Sequence, residues 1–168
     1  MNDLTDRVVE DAFTVGIPRP GFEHLDIDEA ELRPSASVRY IYCSGIEAWS
    51  RDEFRRALTA VMRILQPAGV VRIATADLDS IVYGYLLDWN QTQLAGTTRA
   101  QRLNDWRKSV TAQFIFNEED LRAELEHAGF VDIWRLAARA SSIEAFLDCE
   151  EETTELVLEG RKPASMND

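Results

Sequence analysis

Soft metal ligands are scarce in this sequence of 168 residues, which contains two cysteines and two histidines. They are Cys43, Cys149, His24 and His127, and no pair among them has the spacing of a zinc-binding motif. We therefore do not expect a metal site. Cys43 lies in an apolar segment, which favours a buried structural thiol over a nucleophile. His127 lies shortly before the glycine that ends a predicted helix, where it would interact with the negative end of the helix dipole.

Basic residues are also in the minority. The chain has 18 Lys and Arg against 30 Asp and Glu, which gives a formal net charge of −12 and a pI of about 4.6. A field of this sign repels nucleic acid and anionic lipid surfaces, so neither is an expected partner. No apolar run approaches the ~20 residues of a membrane-spanning helix, and no secretory signal pattern is present. We expect a cytoplasmic protein with one domain over residues 1–168.

The clearest secondary-structure signals lie between residues 37 and 161. Residues 38–43 are rich in β-branched and aromatic side chains, which predicts a strand. Ser50 and Glu53 form a capping-box pattern that opens a helix, and a Pro-Ala-Gly sequence ends it before an apolar strand at residues 70–74. Further helices are predicted at 79–87 and 117–129, and further strands at 131–136 and 155–160. This order predicts an α/β fold with a mostly parallel open sheet, flanking helices and an antiparallel C-terminal edge.

Other segments give weaker signals. Residues 1–21 are predicted to be a poorly defined arm, and residues 164–168 a flexible tail. Residues 22–27 alternate weakly in polarity and favour a strand. The acidic run at 148–152 is interpreted as a solvated face.

Six segments follow one another in an order that resembles a known family. The most informative is Arg-Ile-Leu-Gln-Pro-Ala-Gly-Val-Val-Arg-Ile-Ala at residues 63–74, which combines a helix end, a stop and a buried strand. The others are Asp-Ile…Pro…Ser-Val within 26–38, Tyr-Ile-Tyr-Cys-Ser-Gly-Ile-Glu-Ala-Trp at 40–49, Asp-Leu-Asp at 77–79, the stretch to Ala-Gly-Phe at 119–130, and residues 156–163. Together they resemble the small bacterial class I S-adenosylmethionine-dependent methyltransferases of type 11. The resemblance covers residues 22–163 and implies a Rossmann-like sheet that is shortened on its N-terminal side.

This resemblance implies a cofactor, a reaction and a set of site residues. The cofactor is S-adenosylmethionine, and the acceptor is a small molecule, for example a sugar-like one. The residues at the family's cofactor-binding positions are Gly16, Asp26, Ser44 and Gly45. Glu47 and Asp77 are the candidates for catalysis, although Glu47 could instead bind a helix N-terminus and Asp77 could instead cap the next helix.

The N-terminal region fits the family pattern in two ways. In the first, which the spacing from Asp26 to Pro34 and Ser37 favours, Asp26 ends the third strand and contacts the adenine. In the second, residues 12–15 form the first strand and Gly16 is the sole glycine of the cofactor loop. Asp26 then binds the ribose hydroxyls, and the third strand is missing. Either alignment leaves part of the cofactor cleft incomplete.

Departures from the family pattern support a second function. Gly45 and Ala48 stand at the positions of two family histidines, so no imidazole base is expected there. The alternative is a non-catalytic, degenerate partner or scaffold protein that no longer binds the cofactor. An exposed edge strand at residues 22–27 would then favour pairing with another chain, either a second copy or a different protein.

Overall fold

The computed structural model describes residues 12–18, 22–87, 98–147, 149–150 and 156–164. In this part of the chain six strands form one sheet in the order β2-β1-β3-β4-β6-β5. The strands are β1 (Ala12–Gly16), β2 (Glu23–Leu25), β3 (Val38–Ser44), β4 (Leu65–Thr75), β5 (Val131–Leu136) and β6 (Leu156–Arg161). Strands β1 to β4 are parallel, and β6 lies antiparallel between β4 and β5. The predicted α/β class with an antiparallel C-terminal edge is confirmed.

Five α-helices flank the sheet in the described residues. They are α1 (Ile27–Leu32), α2 (Arg51–Ile64), α3 (Leu78–Leu87), α4 (Arg99–Ser109) and α5 (Glu118–His127). The predicted capping box at the start of α2 is present, because the Ser50 hydroxyl accepts from the Glu53 amide and the Glu53 carboxylate accepts from the Ser50 amide. His127 is the last residue of α5, as the sequence predicts. None of the helices in this part of the chain is long and apolar enough to cross a membrane.

The larger hydrophobic cluster combines side chains of β1, β3, β4 and β6 with those of α1, α2 and α5. The period of α2 places Phe54, Leu58 and Val61 in this cluster, each at most 2% exposed. Cys43 belongs to the same cluster, and burial raises the pKa of its thiol to about 12. A thiol in that state is protonated at neutral pH, so the structural interpretation of Cys43 is confirmed.

The opposite side of β4 carries a buried charge cluster. Arg72 is fully buried and donates to Glu150 at 2.6 and 2.8 Å and to Glu159 at 2.6 Å. The prediction of a solvated acidic run at 148–152 is therefore wrong for Glu150, which is 5% exposed. The cause is Arg72, an arginine on a buried strand that needs carboxylate partners away from water. The other residues of that run lie outside the described part, apart from half-buried Cys149.

The strands of the N-terminal region distinguish between the two alignments with the family pattern. Residues 12–16, placed by the sequence in a poorly defined arm, form strand β1 between β2 and β3. Residues 27–32 form helix α1, so no strand lies between β2 and β3 along this described stretch. The favoured alignment, with Asp26 at the end of a third strand, is wrong, and the second alignment describes the structure. Five residues carry too little periodicity to predict β1, which is stabilised by its two neighbouring strands. β2 lies at the end of the described sheet, as predicted for residues 22–27.

Candidate functional site

Three of the predicted cofactor residues lie in one row across the sheet. The strand register places Gly16 opposite Ser44 and Val15 opposite Leu25. Because Asp26 directly follows Leu25, it lies beside Gly16 on the side away from Ser44. All three residues mark the carboxyl ends of adjacent parallel strands, so the structure brings Asp26, Gly16 and Ser44 to the same edge.

This edge contains the point where the strand order reverses. From β1 the chain continues to β2 on one side, and β3 then lies on the other side of β1. Open α/β sheets bind ligands outside the carboxyl ends of their strands at such a reversal. The row formed by Asp26, Gly16 and Ser44 therefore lies where this architecture places a ligand.

Gly16 is required by the backbone at this edge. Its φ angle is +96°, and a Cβ atom added to it would lie 2.1 Å from the Ser44 carbonyl oxygen. The next amide, that of Ile17, donates to the same oxygen at 3.1 Å. Both the left-handed conformation and the close approach to β3 exclude a side chain at Gly16.

Asp26 presents an exposed carboxylate that is contacted by His24 of β2, and His24 in turn contacts Thr14 of the neighbouring strand β1. Its side chain is 74% exposed. His24 Nε2 lies 3.3 Å from Asp26 Oδ1, and His24 Nδ1 lies 3.4 Å from the hydroxyl of Thr14. The Asp26 amide donates to Glu29 Oε2 at 3.0 Å, which fixes the backbone at the start of α1.

The Ser44 hydroxyl is buried without a hydrogen-bond partner in the structure. Ser44 is 4% exposed, and its carbonyl is satisfied by Ile17. A buried hydroxyl that lacks a partner is energetically unfavourable, and such groups are found where a ligand or a water completes the bond.

Gly45 follows Ser44 and is partly covered by an apolar side chain. It adopts a φ of +72° and opens the short 3-10 turn Ile46–Ala48. A Cβ atom added to Gly45 would lie 2.6 Å from Cγ1 of Ile17, so the Ile17 side chain rests on this glycine. Ile17 is itself 49% exposed.

Glu47 faces the end of β4. Its Oε2 accepts from the Thr75 hydroxyl at 3.1 Å, and its carbonyl accepts from the Gln113 amide at 2.8 Å. At the start of α2 the Ser50 amide donates to Glu53 rather than to Glu47. Glu47 therefore connects the 3-10 turn after β3 to the carboxyl end of β4.

Asp77 is 3% exposed, and its partners beyond β4 include groups of α3 and β5. It accepts from the Asp79 amide at 3.1 Å and from the Ser80 hydroxyl at 3.4 Å, which matches the predicted capping alternative. Arg135 also donates to it at 3.2 Å. Arg135 in turn binds Glu118, whose pKa is lowered by hydrogen bonds from Arg135 and then Arg122. Asp77 thus belongs to an ion-pair network at the start of α3.

The sequence patterns did not identify Thr14, His24 or Arg135 as neighbours of the candidate residues. For His24 a local signal exists, because residues two apart on a strand share a face and His24 precedes Asp26 by two positions. Thr14 and Arg135 reach their partners across strand pairs, which no local pattern reports. Within the described ranges, no three His, Cys, Asp or Glu side chains are grouped so that they could hold a metal ion.

Similarity to solved structures identifies the fold. An S-adenosylmethionine-dependent methyltransferase from Archaeoglobus fulgidus matches with a TM-score of 0.57 at 12% identity, covering 90% of this chain and 85% of that one. This chain has the class I S-adenosylmethionine-dependent methyltransferase fold. A second match comes from the Haloferax volcanii complex between the Trm112 methyltransferase activator and a methyltransferase. It has a TM-score of 0.53 at 14% identity and covers 90% of this chain and 66% of that one.

Several other matched chains are considerably longer than this methyltransferase-fold chain. It spans 44% of a Bordetella parapertussis protein and 65% of a Thermotoga maritima methyltransferase. No protein-family model and no curated protein matches the sequence.

Proposed function

We propose that this protein binds S-adenosylmethionine at the row formed by Asp26, Gly16 and Ser44 and transfers its methyl group to a small-molecule acceptor. The observation that carries the proposal is the convergence of these residues at the reversal of strand order in a class I methyltransferase fold. The similarity to solved methyltransferase structures supports the fold. The residues of the row support S-adenosylmethionine as the ligand.

The residues present fit the cofactor's chemical groups. An exposed carboxylate such as that of Asp26 accepts two hydrogen bonds from the vicinal hydroxyls of a ribose. Gly16 leaves the backbone open to close approach, and the unpartnered Ser44 hydroxyl offers a hydrogen bond to a polar group of the ligand. When bound, S-adenosylmethionine supplies an electrophilic methyl group on its sulfonium.

The acceptor would be held near the ends of β3 and β4. Of the two candidate carboxylates there, Asp77 is engaged by Arg135 and by the start of α3, whereas the partner of the Glu47 carboxylate among the described side chains is the neutral hydroxyl of Thr75. Glu47 is therefore the better candidate to take a proton from an acceptor hydroxyl or amine. Methyl transfer depends mainly on orientation, so a base assists without being mandatory. The net charge of −12 disfavours phosphate-rich acceptors.

Calorimetric titration with S-adenosylmethionine and S-adenosylhomocysteine tests the proposal. We expect binding by the wild type and a loss of at least about tenfold in affinity for Asp26→Ala, as for a lost pair of charge-assisted hydrogen bonds. Asp28→Ala is the matched control, because Asp28 is also exposed but points to Arg56. Absence of heat from the wild type at millimolar cofactor would contradict the proposal.

A second candidate function is that of a non-catalytic partner protein. It is favoured by Ile17, whose side chain covers Gly45, and by the exposed apolar side chains of α3. The latter are Val82, Tyr83, Tyr85, Leu86 and Leu87. The Haloferax volcanii structure contains a methyltransferase and an activator together, so a protein partner is compatible with this fold. Light scattering that finds a monomer with catalytic turnover would exclude this function, whereas a stable oligomer without cofactor binding would favour it.

A further inference from the structure

Three side chains in contact with one another lead from the buried part of the sheet to the proposed cofactor site. Thr14 is fully buried on β1, and the strand register places His24 of β2 directly opposite it. The Thr14 hydroxyl lies 3.4 Å from His24 Nδ1, and His24 Nε2 lies 3.3 Å from Asp26 Oδ1. Asp26 is the exposed end of this row of contacts, and the buried Thr14 is its other end.

We propose that His24 is a positioning residue that orients the Asp26 carboxylate for a ligand bearing vicinal hydroxyls. This inference rests on the proposed function, because the ligand is the ribose of S-adenosylmethionine. The Asp26 carboxylate can only accept, so its contact with Nε2 requires the imidazole proton on Nε2. The buried Thr14 hydroxyl then donates to Nδ1 and stabilises that tautomer.

The orientation of Asp26 matters because its side chain is 74% exposed and lies at the N-cap of α1, where it also takes part in the capping box with the Glu29 amide. An exposed carboxylate loses rotamer freedom when it binds, and a neighbour that restricts it beforehand reduces that loss. The backbone of Asp26 is already fixed by Glu29, which accepts its amide hydrogen. His24 adds a restriction at the carboxylate itself, on the oxygen Oδ1, and the exposed side of the carboxylate faces the ligand.

The local charges agree with this assignment. Arg33 engages Glu23, the acidic residue of β2, at 2.9 Å. Arg56 engages Asp28, the next acidic residue after Asp26. His24 is the side chain that the structure places within hydrogen-bond distance of the Asp26 carboxylate among the described residues.

The decisive experiment is a double-mutant cycle on affinity for S-adenosylhomocysteine, measured by calorimetry at pH 8. We expect His24→Leu to weaken binding by about three- to tenfold, which corresponds to immobilising one side chain. In the Asp26→Asn background the same substitution should change affinity by less than about twofold, because an effect transmitted through Asp26 disappears when Asp26 is altered. His24→Gln keeps an amide donor near the position of Nε2 and should restore most of the affinity.

A second measurement needs no cofactor. Nitrogen-15 NMR of the imidazole at pH 8 should show His24 protonated on Nε2, and Thr14→Val should reduce the population of that tautomer. A dominant Nδ1-protonated form would overturn the inference, as would an equal effect of His24→Leu in both backgrounds of the cycle. If the wild type fails to bind S-adenosylhomocysteine, the proposed function and the ligand assignment fail together. If the wild type binds and His24→Leu binds equally well, only the role of His24 fails.

Discussion

The buried arginine of β4 provides the most quantitative test of this structure. Arg72 donates four hydrogen bonds, to Glu150 twice, to Glu159 and to the Ala140 carbonyl at 2.9 Å. Replacement of Arg72 by Met keeps the length of the side chain and removes the charge. Two carboxylates then remain buried without a cation, because Glu150 has a fully buried side chain and that of Glu159 is 11% exposed.

The expected loss follows from the burial. Breaking a buried ion pair by removing one partner costs about 3–5 kcal/mol in free energy of unfolding. For a chain of this length a loss of 1 kcal/mol lowers Tm by roughly 3 °C, so Arg72→Met should melt about 9–15 °C below the wild type. Arg56→Met is the matched control, since Arg56 also binds two carboxylates, those of Asp28 and Glu31, but is 51% exposed. Its melting temperature should stay close to that of the wild type, because an exposed ion pair is screened by water.

Urea denaturation and thermal melting, both followed by circular dichroism, measure the free energy of unfolding and the melting temperature of both variants. A third variant, Arg72→Met with Glu150→Gln and Glu159→Gln, removes the buried charges and should recover at least about half of the loss. A loss below about 1 kcal/mol for Arg72→Met would refute the reasoning, because it would mean that water reaches these carboxylates. Equal losses in the single and triple variants would also refute it, because the cost would then not come from uncompensated charge.

Two further predictions concern pH dependence and the proposed cofactor site. The pKa of Glu124 is lowered from 4.5 by hydrogen bonds from Arg55 and then Arg51. The stability that the ionised Glu124 contributes is therefore complete above about pH 4.5. It is lost as the pH falls through the lower pKa of the folded state. Glu124→Gln should therefore lose about 1–2 kcal/mol at pH 7, and its melting temperature should converge with that of the wild type below that pH range; a constant difference between pH 7 and pH 3 would contradict this. Ile17→Ala should strengthen S-adenosylhomocysteine binding about two- to tenfold if Ile17 obstructs access to Gly45, and weaker binding by calorimetry would show instead that Ile17 contributes to the site.

Local patterns predicted the elements whose signals lie within one segment. The four-residue pattern Ser50 to Glu53 gave the start of α2, and the buried face of that helix follows its 3.6-residue period. The Pro-Ala-Gly sequence marked the boundary to β4, although the helix ends at Ile64 and the strand begins at Leu65. These signals are local because capping and periodicity depend on residues a few positions apart.

The N-terminal alignment could not be predicted in the same way. The spacing from Asp26 to Ser37 favoured a third strand that the structure replaces with α1. Strand β1 becomes identifiable through its pairing with β3, where Gly16 meets Ser44. A strand of five residues is specified by its neighbours rather than by its own pattern, so the spacing argument had little to constrain it.

The sequence by itself determined the fold class and the residue types available for chemistry at the carboxyl ends of the strands. Tertiary structure alone decided which of them meet. It placed Asp26 beside Gly16, joined Thr14 to His24, and buried Glu150 against an arginine 78 positions away. The physical reason is that hydrophobic periodicity and capping act along the chain, whereas strand register and the burial of charge depend on partners that only folding brings together.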